Sequence, residues 1–365
     1  MKKKRRKQSQ IPSDVTFLYV LAGLVFLVGF GLLSWFGYGY FLRATGSFSI
    51  LDPRPSIGSY EKTCVFARAL DGVCVATNEL TLPPIVAVMV ENHFASWPQA
   101  GLAEASVVYE APVEANITRF FALYPADTFV SRVGPVRSAR PYFLDWLSEY
   151  GNPLYFHVGG SPDALDMIKT NKVNDFNEFY FGGLYFWRST NRLAPHNTYT
   201  SSELWQKATQ TQILSEYGST AMDSWMFDGR EPCATDCVDE LTVSFAPPTY
   251  QAVWKFSTST GRYERWQAGD PHKNENGLLI VADTVIVQRV HTTVLDSVGR
   301  LGMETTGSGE AIVFRDGYAI EGMWKKESRT SRTRFYDASD QEISLKAGKI
   351  WVEVVNEAGD VKYEI

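Results

Sequence analysis

"IVAVMV", residues 85–90, is an unbroken run of six apolar residues, four of them β-branched. A strand with one wet face alternates apolar with polar, whereas a short continuous run belongs to a strand covered on both faces. The run therefore predicts the central strand of a sheet with a layer on either side. Outward from it, "ASVVYEAPV" (105–113) and "ITRFFALYP" (117–125) read as two more strands. "PYFLDWLSEYG" (141–151) has helical spacing, opened by Pro141 and stopped at Gly151. "PLYFHV" (153–158) is a strand, and "GGSPDALDMIKTN" (159–171) turns into a helix with Ser161 as N-cap and Pro162 in its first turn. "SSELWQKATQTQILSEYG" (201–218) is a further helix. Strands alternating with helices predict an α/β domain over residues 82–230.

The remainder changes character. "LTVSF" (241–245), "YQAVWKF" (250–256), "RYERWQ" (262–267), "LLIVADTVIVQRV" (278–290), "RTRFYD" (332–337) and "KIWVEVV" (349–355) read as strands. Asp316-Gly317 sits between two apolar alternations, a hairpin signal. Residues 231–365 are thus predicted as a β-rich, mainly antiparallel C-terminal domain.

At the other end, "MKKKRRK" places six basic residues at positions 2–7, within a basic tail over 1–16. "FLYVLAGLVFLVGFGLLSWF" (17–36) follows, without a charged side chain. Twenty residues of helix, at about 1.5 Å each, match a bilayer core of about 30 Å and exceed the apolar run of a cleaved signal peptide. The reading is a single-pass transmembrane helix over 17–40, its basic tail cytoplasmic and its C-terminal ectodomain extracytoplasmic. Residues 41–81 lack periodicity and read as a stalk.

Net charge is −6 for the whole chain, from 35 basic and 41 acidic residues. Setting aside the seven basic residues and one acidic residue of positions 1–43 leaves 28 against 40, or −12, for the ectodomain. Such a surface excludes general nucleic-acid binding, which depends on neutralising phosphates. Cys64, Cys74, Cys233 and Cys237 all fall in the exported part, where an even number suggests disulfides, with the local pairings 64–74 and 233–237 preferred. "CATDC" lacks metal-ligand spacing, the five histidines at 93, 157, 196, 272 and 291 are scattered, and no metal or cofactor is expected.

Against that acidic background "RVGPVRSARPYF" (132–143) stands out, because Arg132, Arg137 and Arg140 fall in nine residues with no acid among them. With Arg119 on the preceding strand they form a candidate anion site, guanidinium forks being suited to phosphate or carboxylate. "HVGGSPDAL" (157–165) adds Gly159, Gly160 and Ser161, where a ligand could approach backbone amides. The alternative is that Glu91, Glu104, Glu110 and Glu114 pair with these arginines internally. A secondary loop, "WRSTNRLAPHNTYTSS" (187–202), gathers Arg188, Arg192, His196 and Asn197. Glu91, Glu110 and His196 are the candidates for proton transfer, with His157 read as a core histidine.

"IVAVMVENHFASWPQAGLAEASVVYEAPVEANITRFFALY", "VGPVRSARPYFLDWLSEYG", "FHVGGSPDAL", "APHNTYTSS", "GRYERWQAGDPH", "TGSGEAIVFRDGYAIEGMWKK" and "TRFYD", in this order, resemble the YerB-type family of bacterial envelope lipoproteins. The resemblance runs from residue 82 to 355 and implies a two-domain, surface-anchored protein of unassigned biochemical activity. The family is usually lipid-anchored through a cysteine, whereas this chain carries an apolar span instead. In layout alone it is also similar to the LytR-CpsA-Psr phosphotransferases, without a shared motif.

The functional expectation is a membrane-anchored envelope protein that binds an anionic ligand: a wall polymer, a lipid pyrophosphate carrier or a partner protein. An envelope phosphotransferase or hydrolase acting on a pyrophosphate-linked glycan is the enzymatic alternative. A scaffold with internally paired arginines is the third.

Overall fold

Residues 85–91 form strand β1, and every one of the seven is buried. Their side chains divide between two cores. Val86, Val88 and Val90 join Phe120, Phe156, Trp254 and Trp351 on one face. Ile85, Ala87 and Met89 join Phe121, Phe143, Trp146 and Tyr155 on the other. Burying a Val or Ile side chain contributes about 1.5–3 kcal/mol, so this one strand holds both layers together.

The computed structural model describes residues 64–210 and 222–364. The predicted basic tail, transmembrane helix and first part of the stalk lie outside them, as does the end of the helix expected over 201–218. Among the described residues no helix is long and apolar enough to cross a membrane.

β1 has an antiparallel neighbour, β3 (Thr118–Pro125), itself paired antiparallel with β2 (Val107–Pro112). On its other side β1 pairs parallel with β4 (Leu154–His157), which pairs parallel with β5 (Asn174–Asn177). Helices α1 (Pro141–Leu147) and α2 (Pro162–Thr170) cover the Met89 face with Tyr142, Phe143, Trp146, Ala164 and Ile168. Ser161 caps α2, its hydroxyl accepting from the Ala164 amide.

Part of the C-terminal chain extends the sheet of β1, and part builds a second sheet of its own. Strand Ile350–Asn356 inserts parallel between β2 and strand Thr284–Val290. From there the sheet continues antiparallel through Gly307–Arg315, Tyr318–Lys326 and Arg334–Asp337, ten strands in all. The protein is thus mostly β, with a mixed main sheet and a few helices, and the expected antiparallel character gives way to two parallel ladders at Ile350–Asn356. A second sheet, Glu240–Ala246, Tyr250–Ser257, Arg262–Gln267 and Asp360–Glu364 among its strands, supplies Leu241, Val243, Trp254 and Tyr263 to the Val88 face.

The described residues, 64–210 and 222–364, fall into one compact unit. Within the span read as stalk, Leu70 and Asp71 are buried, and the Asp71 carbonyl accepts from the Gly348 amide. Cys64 is bonded to Cys74, and Cys233 to Cys237.

A buried polar network ties the second sheet to the first. Arg265 donates to Glu110 and, at 2.7 Å, to Gln267. His272 contacts Gln99 at 2.9 Å, and Trp254 Nε1 donates to Glu353 at 2.7 Å. Glu353 and Glu110 are register partners on adjacent strands, so two buried carboxylates stand beside one guanidinium. Burial first, and then the Glu110 carboxylate, push Glu353 well above the ordinary carboxyl range. A group raised in the folded state contributes stability below its unfolded value and loses it as pH climbs through the folded one. Glu353→Gln keeps the shape and an acceptor for Trp254 while removing that titration. Chemical denaturation at pH 5 and pH 8 should show the variant gaining on wild type at the higher pH; an equal difference at both would refute this account of the pair.

Candidate functional site

The loop after β3 turns back along the carboxyl ends of the parallel strands. The Arg137 amide donates to the Met89 carbonyl, and its own carbonyl accepts from Val158 just past β4. Ala139 and Ser161 continue the ladder through Gly159 and Ala139. Arg137 and Arg140 are thereby laid across the ends of β1 and β4, the edge where open α/β sheets receive ligands.

At this edge Glu91 is a hub. Its Oε1 accepts from Arg137 Nε at 2.8 Å and its Oε2 faces His196 Nδ1 at 2.9 Å. The His196 ring stacks on His93 with centroids 4.8 Å apart. Burial, and then His196, lower His93 below the ordinary imidazole value. Arg140 makes a two-pronged contact with Glu114, 2.7 and 2.8 Å, and a third bond to the Ala139 carbonyl. Part of the arginine set is therefore claimed internally.

Arg119 is the exception. It is the register partner of Glu91, yet the Glu91 carboxylate is engaged by Arg137 and His196. Its Nη1 donates to the Ser138 carbonyl at 2.7 Å, its buried Nε has no partner, and no carboxylate among the described residues pairs with it. Burial, and then the neighbouring Arg140, pull its pKa down to about 10. Arg332 also has buried nitrogens without hydrogen bonds, but its guanidinium lies 4.2 Å from the Tyr150 ring and 3.6 Å from that of Trp225. Among the described residues no ring lies over Arg119 in this way.

The other predicted residues distribute around this centre. Arg132 does not join it: the side chain pairs with Glu275 at 3.1 Å and lies 3.7 Å over the Tyr199 ring. Glu110 projects to the opposite face of the sheet, into the Arg265 network, because it falls one residue out of phase with Ala111, the partner of Arg119. Gly159 and Gly160 are at the edge, and the Gly159 amide donates to Asn177 Oδ1 at 3.0 Å. Arg188 bonds to Glu178 at 3.1 Å and to Asn197 at 3.2 Å, next to His196 in the chain. Arg192 reaches the Pro98 carbonyl. His157 is fully buried, one ring nitrogen against the Gly159 carbonyl and the other against Asp175, both at 2.7 Å. Sequence reasoning missed Asp175, Asn177 and Glu178, which sit in and beside a strand too polar to announce itself.

Against known proteins, residues 70–215 match the model described as "Protein of unknown function (DUF3048) N-terminal domain". Residues 241–352 match the DUF3048 C-terminal domain. YerB of Bacillus subtilis (strain 168), which bears a lipoprotein's name, is 28% identical over 272 residues, 74% of this chain and 80% of YerB. The crystal structure of Bacillus subtilis YerB aligns with a TM-score of 0.71 and 25% identity, covering 81% of this chain and 99% of that one.

Gly159 has φ +57°, and a Cβ there would lie 2.7 Å from the Phe179 ring. Gly159→Ala should lower stability by about 1–3 kcal/mol in thermal or chemical unfolding, because it adds both backbone strain and a clash at the edge. An unchanged melting temperature would show that Phe179 is free to move aside.

Proposed function

We propose, from the chain's membership of the YerB-like DUF3048 family, that this is an extracytoplasmic envelope protein, held at the membrane by residues 17–40, that binds an anionic group beside Arg119. The lipoprotein name of YerB supports the location, and the apolar segment takes the place of a lipid.

The observation that carries the binding role is that Arg119 is buried without an ion pair, Glu114 acting on it only at longer range while bonded to Arg140. A buried charge without a direct ionic partner costs stability in principle, and such a cost is retained where a ligand supplies that partner. Arg137 and Arg140 lie near enough to depress the Arg119 pKa, so an anion placed there would meet three guanidinium groups and two carboxylates. Phosphate or carboxylate fits the fork geometry of arginine.

The internal-scaffold reading draws on the Arg137–Glu91 and Arg140–Glu114 pairs. The two readings part at Arg119→Met. For a binding site, the variant keeps or raises the melting temperature without ligand, as the unpaired charge is gone, and loses the stabilisation by millimolar pyrophosphate that wild type shows. A melting temperature several degrees lower, together with no pyrophosphate effect in either protein, would make Arg119 structural.

A further inference from the structure

Several of the large apolar side chains left exposed by the fold cluster around this edge. Phe94 is 62% exposed, Phe179 69%, Tyr180 77%, Leu184 56% and Leu193 86%. They flank the charged centre on both sides. Toward one side, the Phe94 ring lies 4.2 Å from that of His93, which stacks on His196, and the Leu193 carbonyl accepts from the His196 amide. Toward the other, the Phe179 ring covers Gly159, whose neighbour Val158 bonds to Arg137. Tyr180 and Leu184 follow Phe179 along helix Glu178–Phe181 and the turn after it.

We infer that the anion received beside Arg119 is the head of an amphiphile, whose apolar chain lies across Phe179 and its neighbours or across Phe94 and Leu193. This rests on the anion reading above and adds the chemical class of the ligand. Clustered apolar side chains on a soluble surface mark a contact region rather than ordinary exposure. A wholly apolar occupant would cover them but leave Arg119 without a direct ionic partner, and a small inorganic anion would do the reverse. A molecule with a phosphate or carboxylate head and a hydrocarbon chain satisfies both at once. Tyr180, with an apolar ring and a polar tip, suits the junction between chain and water.

The test compares three probes on the full-length protein in zwitterionic nanodiscs, with stabilisation against heating as the readout. Inorganic phosphate is the head alone, hexanol the chain alone and hexyl phosphate, which stays monomeric, the two joined. A methylene removed from water contributes about 0.8 kcal/mol, so even partial burial of the chain should make hexyl phosphate effective at a concentration at least about tenfold lower than phosphate. The double substitution Phe179→Ser with Leu193→Ser, at exposed positions that leave the fold intact, should close that gap while preserving the response to phosphate. Arg119→Met should abolish the response to both anions. Equal potency of phosphate and hexyl phosphate would overturn the amphiphile and leave the anion site standing. No response to either would sink both readings, and a response to hexanol equal to that of hexyl phosphate would assign the patch to an uncharged partner.

Discussion

Strand Ile350–Asn356 is the constraint on which the rest depends. It arrives almost last in the chain and yet pairs parallel with β2 on one side and with Thr284–Val290 on the other. Without it the sheet that begins at β5 would end at β2, and the hairpins beyond Thr284 would have nothing to continue. A parallel ladder between segments so far apart closes a long loop, which makes this a demanding closure. The same strand carries Glu353, placing a second carboxylate against Glu110 and requiring Arg265 of the other sheet to face both. Sheet continuity and the polar tie between the sheets are thus two consequences of one insertion.

What the sequence disclosed of this fold follows from burial. "IVAVMV" has no polar face to show, and the strand it forms has none. The Pro141 and Pro162 openings and the Ser161 cap are local rules obeyed locally. β5 escaped notice because "NDFN" offers one large apolar residue; it is a strand because Phe176 stacks on Phe156 and its backbone completes the ladder to β4. The placing of the C-terminal strands in the same sheet as β1 was equally hidden, since a strand's partners are not written in its own periodicity.

The candidate site was legible as a set of residue types and not as a set of pairs. Arg119, Arg137 and Arg140 do converge, and the loop between them does reach the carboxyl ends of β1 and β4. Arg132, drawn in by its nearness along the chain, is aimed at Glu275, a residue more than a hundred positions away. Glu110 looked equivalent to Glu91 and lies across the sheet, because alternation along β2 sends it to the other side. Which arginine would be left without a partner depends on how each carboxylate divides its two oxygens. Glu91 spends one on Arg137 and one on His196, Glu114 spends both on Arg140, and that subtraction leaves Arg119 without an ion pair.

The most direct measurement is crystallographic: crystals of the protein soaked in selenate, with the anion located by anomalous scattering of selenium. The account predicts a peak within hydrogen-bonding reach of the Arg119 guanidinium, alongside Arg137 or Arg140, that is absent in crystals of Arg119→Met. Selenate bound elsewhere, or an Arg119 side chain whose free Nε is met by protein groups or ordered water alone, would contradict it.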